Sequence, residues 1–296
     1  GALHRYVVFG ANTDSGRLLP ADLMQPPPGV SRTGLGMIFV HGGAWWYVRK
    51  NITKFPYFAR LVSQGHVVMD IDYTLAPRSS VPGMVKDVKQ AILWLKQQAT
   101  LFEINPERIV LTGQSAGAQL ALLAAYTPND PVFQPDGIEG DSSVRGVISY
   151  QGPPDMVALY HDIQGRFVRL FPNRLVAQLH RLLELVSGHG TSLASGLASV
   201  MGGTPAELPD LYRHLSPITY VCQACPPTLL LQGTHDLLVN YQDVERLYCE
   251  LRQAKAVAIY IPFPGCNHAF EAVLPRLSPP AQTAAYYTER FLALLV

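Results

Sequence analysis

In the segment LTGQSAGAQL (residues 111–120), the hydroxyl of Ser115 lies between Gln114 and Ala116, with a glycine two positions to either side. It joins a strand-like apolar segment to a helix-like one, so Ser115 lies at the turn between them. Such a turn strains the serine backbone, and side chains at Gly113 or Gly117 would collide with the neighbouring strand or helix. The pattern predicts an exposed nucleophile at the positive end of a helix, with a helix-capping serine as the alternative.

A serine hydroxyl becomes a good nucleophile when a base takes its proton and a carboxylate orients that base. Asp236 follows the apolar segment 228–233, and His268 follows the apolar segment 258–263. We expect the carboxyl ends of these strands at the same sheet edge as Ser115. In the hydrolases that the motifs described below resemble, the acid follows the serine in the chain and the histidine comes last. The sequence therefore predicts a catalytic triad of Ser115, Asp236 and His268.

Other residues remain as alternatives for the base and the acid. Asp243 is the reserve acid, but it already lies inside a predicted helix. His235 is adjacent in the chain to Asp236, which would be unusual for a base and its orienting acid. Asp236 could instead be a loop or helix-capping aspartate, and His268 a surface histidine.

The motif HGGAWW (residues 41–46) directly follows an apolar strand and supplies a flexible glycine pair. Backbone N–H groups of such a loop can point into the crevice and stabilise a developing oxyanion. We assign the oxyanion donors to Gly43, Ala44 and Ala116, and Gly42 could replace one of them.

Three aromatic or polar side chains near these motifs are candidates for the substrate pocket. Trp45 and Trp46 could wall an acyl pocket, with a purely packing role for at least one of them as the alternative. Gln114, next to the nucleophile, is also assigned to the pocket. His41 starts the donor loop, so we expect it to shape that loop by hydrogen bonding instead of acting as a base.

Short β-branched or apolar segments alternate along the chain with amphipathic segments. The predicted strands are residues 36–43, 66–73, 108–113, 146–152, 228–233 and 258–263, and the predicted helices are residues 54–64, 81–99, 115–126, 240–254 and 281–295. This alternation predicts an α/β fold with a mostly parallel, doubly wound sheet in one domain, residues 1–296. Residues 153–217 interrupt the alternation and predict an inserted helical cap.

Composition excludes several classes of partner. Twenty-three basic and twenty-two acidic side chains leave a net charge of +1 without a Lys/Arg cluster, so no nucleic-acid partner is expected. No apolar run is long enough for a membrane span, and residues 1–30 lack a signal-peptide pattern. Position 1 is Gly, so we expect a processed chain or a piece of a longer one.

The four cysteines are too few and too clustered for a disulfide framework. Cys222 and Cys225 form a C-x-x-C without a second pair that would complete a zinc site, so we expect ordinary reduced thiols. Together with the missing signal pattern, this predicts a cytoplasmic protein.

Five motifs in order, HGGAW, DIDYTLAP, GQSAG, GTHD and CNHAF, resemble those of the α/β-hydrolase superfamily. The resemblance covers residues 36–295 and extends to the hormone-sensitive-lipase-like esterases and the related kynurenine formamidase branch. It implies the triad and oxyanion donors named above, and acyl transfer without a metal or organic cofactor.

The chain departs from the lipase-like pattern at three positions. Ala44 stands where a third glycine is usual, and Gln114 stands where an acidic residue is usual. Both differences favour the formamidase-like and small-esterase branches. Thr74 replaces the usual arginine of its segment, and we expect no N-terminal cap of the lipase-like kind within residues 1–35.

We therefore expect the insert to cover the site and to set the acyl or alcohol pocket. The side chains assigned to this role are Met156, Tyr160, Phe167, Leu170 and Phe171. The function predicted is a carboxylesterase acting on small-molecule esters of small to medium acyl chains. The alternatives are an arylformamidase-type amidase and a catalytically silent binding protein, and the oligomeric state, a homodimer included, is left open.

Overall fold

The computed structural model of the chain describes residues 3–48, 50, 55–164 and 193–296. Eight strands are found within these residues: β1 (Leu3–Ala11), β2 (Leu18–Met24), β3 (Gly36–Val40), β4 (Val67–Ile71), β5 (Ile109–Gln114), β6 (Gly146–Tyr150), β7 (Thr228–Gly233) and β8 (Ala258–Phe263). They form one sheet in the order β1-β2-β4-β3-β5-β6-β7-β8. β1, β2 and β4 are joined by antiparallel pairings, and every pairing from β4 to β8 is parallel.

All residues of the strands β3 to β7 are buried, because helices cover both faces of this part of the sheet. The described helices are α1 (Phe55–Ser63), α2 (Val81–Gln97), α3 (Ala99–Phe102), α4 (Ala116–Tyr126), α5 (Met156–Ile163), α6 (Leu193–Met201), α7 (Pro209–His214), α8 (Tyr241–Gln253) and α9 (Pro279–Leu295). The six predicted strands and five predicted helices are confirmed. The predicted α/β fold is confirmed with them.

Two apolar clusters lie on opposite faces of the sheet, because side chains alternate along each strand. In β3, Ile38 and Val40 belong to the cluster that contains α2 and α4. Met37 and Phe39 belong to the cluster that contains α1 and α9. Apolar packing on both faces therefore holds the sheet from which the loops at the carboxyl ends of the strands begin.

The hairpin of β1 and β2 was not predicted. Its outer strand lies at the sheet edge, where Tyr6 is 71% exposed and Val8 is 49% exposed, so it lacks a continuous buried run. Two register irregularities interrupt its pairing with β2, and Pro20 lies inside β2. A proline inside a strand pattern argues against a strand from sequence alone, and Pro20 pairs with Val8, next to one of these irregularities.

The predicted insert, residues 153–217, contains α5, α6 and α7 within its described part. Its two ends are held together, since the Met156 N–H donates to Ser216 Oγ at 2.8 Å and the Ile218 N–H donates to Pro154 O at 3.0 Å. Phe167, Leu170 and Phe171 lie outside the described residues. The division into one domain with a cap insertion stays a prediction.

Candidate active site

Ser115 lies on a strained turn between β5 and α4. Its backbone angles are φ 52° and ψ −124°, a left-handed conformation that a serine rarely adopts, and the predicted strain is confirmed. A Cβ built at Gly113 would lie 2.4 Å from Gly117 O, and one at Gly117 would lie 2.2 Å from His41 O. The predicted steric need for glycine is thereby confirmed as well. The Ser115 N–H donates to Tyr150 O at 2.8 Å, which ties the turn to the end of β6.

The structure brings Ser115, Asp236 and His268 together in one hydrogen-bonded chain. His268 Nδ1 lies 2.8 Å from Asp236 Oδ2, and His268 Nε2 lies 2.9 Å from Ser115 Oγ. A carboxylate can only accept, so Nδ1 carries the proton and Nε2 accepts from the serine hydroxyl. The loops after β5, β7 and β8 supply the three side chains, because parallel strands end at the same edge of the sheet.

The carboxylate of Asp236 accepts four hydrogen bonds, three of them from residues 232–239. Oδ1 accepts from the N–H groups of Leu238 at 2.8 Å and Val239 at 2.9 Å. Oδ2 accepts from Gln232 Nε2 at 3.1 Å in addition to His268. These bonds leave Asp236 one orientation, the one that holds the imidazole. The cap of α8 is a different residue, Asn240, whose side chain accepts from the Gln242 N–H.

The reserve acid and the neighbouring histidine lie away from this chain of bonds. Asp243 is in the first turn of α8, 3.4 Å from Arg246, and burial raises its pKa to about 6. His235 is exposed, and its Nδ1 faces Thr234 Oγ1. Neither side chain takes the place that Asp236 and His268 occupy.

Two amides hold the loop that carries His268. Asn267 Oδ1 accepts from the His268 N–H at 2.7 Å and from the Leu237 N–H at 3.1 Å. Gln151 Oε1 accepts from the Ala269 N–H at 3.1 Å, while its Nε2 donates to the buried Glu271 at 3.1 Å. Gln151 was missed from sequence. It meets the criterion used for Asp236, a polar residue just beyond a buried strand.

The donor loop Gly42–Ala44 packs directly against the nucleophile. A Cβ at Gly42 would lie 3.3 Å from Ser115 Cβ, and one at Gly43 would lie 1.9 Å from Tyr47 O. Gly43 and Ala44 both have positive φ, 118° and 50°. Within the described residues, the N–H groups of Gly43, Ala44 and Ala116 donate to no protein acceptor. The loop therefore offers N–H donors beside Ser115. Which of the candidate N–H groups bind the oxyanion stays a prediction.

His41 is fully buried and faces away from the triad. Its Nδ1 lies 2.8 Å from Gly42 O, its Nε2 lies 3.7 Å from Asp72 Oδ1, and its ring stacks on Tyr73 at 4.3 Å. Burial alone would raise the pKa of Asp72, but His41 and the Arg17 guanidinium outweigh burial and lower it. These contacts fit the expected role of His41 in shaping the donor loop.

The residues assigned to the substrate pocket have different surroundings. Trp45 is 5% exposed and lies in the core, where its Nε1 donates to Gln119 Oε1 at 3.0 Å, so its position favours the packing alternative. Trp46 is half-buried and lines a separate cavity of about 220 Å³ beside Asp72. Gln114 is the buried last residue of β5, directly before Ser115.

Two pocket residues of the insert fall in its described part. Met156 has no exposed surface and packs in the core, so it does not fit the pocket-lining role that was predicted for it. Tyr160 is half-buried and meets Tyr212 edge to face, with 6.1 Å between the ring centroids. The structure thus leaves Tyr160 as the one described member of that set with exposed surface.

Neither a metal cluster nor a membrane-spanning helix is found in the part of the chain that the structure describes. No three His, Cys, Asp or Glu side chains there are grouped to hold a metal ion. No helix of those residues combines the length and apolarity that crossing a membrane requires.

The sheet order, the helices on both faces and the serine turn define an α/β-hydrolase fold. Solved structures of Thermogutta terrifontis esterase 2 share this fold. The apo form has a TM-score of 0.74 at 20% identity and covers 98% of this chain and 94% of that chain. The sarin-phosphonylated form has a TM-score of 0.74 at 19% identity, with the same coverage. The predicted resemblance to the α/β-hydrolase superfamily is confirmed.

The chain belongs to the BD-FAE family, whose family model matches residues 22–251. Esterase LipQ of Mycobacterium tuberculosis (strain ATCC 25618 / H37Rv) is 30% identical over 79% of this chain and 50% of its own length. The probable carboxylic ester hydrolase LipM of the same organism is 30% identical over 90% of this chain and 56% of its own length. The chain thus spans about half the length of these relatives.

Proposed function

We propose that this chain is a serine carboxylesterase that cleaves small-molecule esters of small to medium acyl chains. Ser115 is the nucleophile, His268 the general base and Asp236 the acid that orients it. The observation that carries the proposal is the continuous hydrogen-bonded path from Asp236 through His268 to Ser115 Oγ. The names of the two Mycobacterium tuberculosis relatives, an esterase and a probable carboxylic ester hydrolase, support the same reaction class.

The first step forms an acyl-enzyme. His268 Nε2 takes the Ser115 proton as Oγ attacks the ester carbonyl, and the carbonyl π electrons move to the oxygen. Asp236 stabilises the imidazolium that results, because its Oδ2 already accepts from Nδ1. When the tetrahedral intermediate collapses, His268 gives its proton to the leaving alcohol, and the acyl group stays on Ser115.

The oxyanion is stabilised by backbone N–H groups on both sides of Ser115. Gly43 and Ala44 supply donors from the loop after β3, and Ala116 supplies one from the start of α4. The first N–H groups of a helix have no partner within the helix, so the Ala116 donor is available without breaking a bond. Each donor contributes about 3 kcal/mol to the transition state in sites of this kind.

The second step restores the enzyme. A water molecule takes the position of the departed alcohol, His268 removes its proton, and the hydroxide attacks the acyl carbon. The same N–H groups hold the second tetrahedral oxyanion. Collapse returns the proton to Ser115 Oγ and releases the carboxylic acid.

The test is hydrolysis of p-nitrophenyl acetate, butyrate, octanoate and palmitate by the parent and by Ser115→Ala. We expect the acetate and butyrate to be the best substrates, with kcat about 10⁴-fold lower or more in Ser115→Ala. A fluorophosphonate probe should label the parent at Ser115 alone. Ser63→Ala, which removes an exposed hydroxyl bonded to Arg60 O, is the matched control and should keep parental activity.

The same assay separates the proposal from its alternatives. Turnover of N-formylkynurenine that exceeds turnover of every p-nitrophenyl ester, and that depends on Ser115, would replace the esterase with an arylformamidase-type amidase. Absence of Ser115-dependent turnover on all substrates would indicate a silent binding protein. Best activity on the palmitate ester would overturn the proposed acyl-chain range.

A further inference from the structure

The donor loop has a strained backbone, although the Trp46 and Tyr47 N–H groups close it by donating to Gly43 O at 3.0 and 2.7 Å. Gly43, Ala44 and Trp45 are three consecutive residues with positive φ, 118°, 50° and 62°. Ala44 and Trp45 each carry a Cβ, so this conformation costs about 1–3 kcal/mol per residue unless surrounding contacts compensate. Contacts with the surrounding structure therefore help to hold this strained loop beside Ser115.

Trp45 provides the contact between the loop and its surroundings. Its O accepts from the Ala76 N–H at 3.0 Å, and its indole Nε1 donates to Gln119 Oε1 at 3.0 Å. The indole is 5% exposed, and Gln119 has no exposed surface. A buried hydrogen bond without competing water fixes both partners, and its loss leaves an unsatisfied polar group.

Gln119 lies one turn into α4, the helix that begins with Ala116 immediately after the nucleophile. Its Oε1 holds Trp45, and its Nε2 donates to Leu215 O at 2.8 Å. Leu215 follows α7 at the end of the predicted insert. One amide group therefore connects three segments: the donor loop, the helix that carries the Ala116 donor, and the end of the insert.

We propose that Gln119 is a positioning residue for the oxyanion hole, one that sets the donor loop relative to α4 and couples it to the insert. This role rests on the proposed function. The Gln119 side chain acts through Trp45 and does not contact the Ser115 hydroxyl, while its backbone N–H donates to Ser115 O at 3.1 Å in the first turn of α4. Leu215 O, after α7, completes the hydrogen bonding of the Gln119 amide.

The test compares Gln119→Leu and Trp45→Phe with the parent. Gln119→Leu removes both amide bonds at nearly constant volume, and Trp45→Phe removes only the indole donor. We expect kcat on p-nitrophenyl butyrate to fall about 10- to 100-fold in Gln119→Leu, with KM changed less than about threefold. The double variant should match Gln119→Leu within about threefold, because both substitutions break the same bond.

Gln90→Leu is the matched control. Gln90 is 2% exposed on α2, its Oε1 accepts from the Ala11 N–H, and its Nε2 donates to Ala11 O. It thus makes the same two kinds of bond, but to the edge hairpin. We expect Gln90→Leu to lower the melting temperature by a similar amount and to leave kcat within about twofold of the parent.

A trifluoromethyl ketone provides a readout that a purely structural role would not change. The Ser115 oxygen adds to its carbonyl carbon, the proton moves to His268, and the carbonyl oxygen becomes an anion in the oxyanion position. The inhibition constant should rise in Gln119→Leu by the same factor as kcat falls. Equal losses of kcat in Gln119→Leu and Gln90→Leu would overturn the proposal, and so would unchanged ketone affinity in Gln119→Leu.

Failure of the inference and failure of the proposed function give different results. An inactive parent that does not form the ketone adduct would overturn the esterase assignment, and the positioning role with it. An active parent whose Gln119→Leu variant keeps full kcat would overturn only the positioning role. If Gln119→Leu does not fold, kcat of Trp45→Phe tests the positioning role, since this variant leaves the Gln119–Leu215 bond in place. An unchanged kcat in Trp45→Phe would then overturn that role.

Discussion

The two halves of the candidate active site are held in different ways. On the triad side, Asp236 receives three of its four hydrogen bonds from residues 232–239, within its own loop and strand end. On the oxyanion side, the strained donor loop depends on Gln119, which is 74 residues away in the chain. The orientation of the base is therefore built locally, whereas the position of the donors depends on packing between distant segments.

Removing the charge of Asp236 should have the largest effect, because it changes the tautomer of His268. In Asp236→Asn, the amide oxygen stays on the Leu238 and Val239 N–H groups, so the NH₂ group faces His268 Nδ1. The imidazole would then carry its proton on Nε2 and could not accept from Ser115. We expect kcat to fall about 10⁴-fold, with a lower melting temperature because the new NH₂ group also faces the Gln232 Nε2 donor.

Asp243→Asn is the control for this substitution, since it neutralises the reserve acid inside α8. Its kcat on p-nitrophenyl butyrate should stay within about twofold of the parent. Equal losses of kcat in Asp236→Asn and Asp243→Asn would show that Asp236 is not the orienting acid. They would also contradict the conclusion that the base is oriented by the loop of Asp236.

A methyl group at Gly43 should break the oxyanion side and leave the triad intact. The Cβ of Gly43→Ala would lie 1.9 Å from Tyr47 O at a backbone φ of 118°, so the loop must move. We expect kcat to fall about 10²- to 10³-fold, as in other sites that lose one oxyanion donor. Fluorophosphonate labelling in single-turnover experiments would show whether Ser115 is still activated by His268.

Gly137→Ala separates backbone strain from displacement of the donors. Gly137 also has positive φ, 69°, but a Cβ there meets nothing within 4 Å. This variant should lose about 1 kcal/mol of stability and no activity. Equal kcat values for Gly43→Ala and Gly137→Ala would show that the donor loop does not contribute to the reaction.

The difference between the two halves also explains what the sequence could predict. Ser115, Asp236 and His268 could be predicted because each is a reactive residue type just beyond an apolar strand, and the order of strands in an α/β sheet brings such positions to one edge. The triad distances join residues up to 153 positions apart, yet the pattern that locates each residue is local.

Gln119 could not be found in this way. Gln119 lies inside a helix whose eleven residues are all buried, so no periodicity marks it as different from its neighbours. Its role follows from partners 74 and 96 positions away. Trp45 was assigned to the pocket or to packing for the same reason: an aromatic residue after a glycine pair does not reveal which side of the loop it faces.

Asp87 is a buried carboxyl in α2 that bonds the segment supporting the donor loop. Its titration predicts a smaller effect, on stability instead of activity. Asp87 has no exposed surface, and it accepts from the Thr74 N–H at 2.8 Å and from Asn12 Nδ2 at 2.9 Å. Thr74 follows Tyr73, whose hydroxyl donates to His41 O at the start of the donor loop. Burial raises the pKa of Asp87 to about 6, because its hydrogen bonds and the Arg17 charge do not fully compensate the loss of solvent.

The sign of the resulting pH dependence follows from the raised pKa. Between about pH 4 and pH 6 the folded carboxyl holds a proton that the unfolded chain has lost, so stability falls as pH rises through this window. A shift from 3.8 to about 6 corresponds to about 3 kcal/mol, present below pH 4 and lost above pH 6. Asp87→Asn removes this titration, so the free energy of unfolding of the parent relative to the variant should decrease by about 3 kcal/mol from pH 4 to pH 7.

Asp141→Asn is the control with the opposite sign. Burial raises the pKa of Asp141, but its hydrogen bonds with Lys96 and Ser143 outweigh burial and lower it to about 2. Stability from this exposed pair is therefore lost as pH falls below about 4, outside the Asp87 window. Urea unfolding at pH 4, 5, 6 and 7 measures the difference. A flat difference for Asp87→Asn would show that the carboxyl titrates alike in the folded and unfolded chain, and that the support of the donor loop is insensitive to pH.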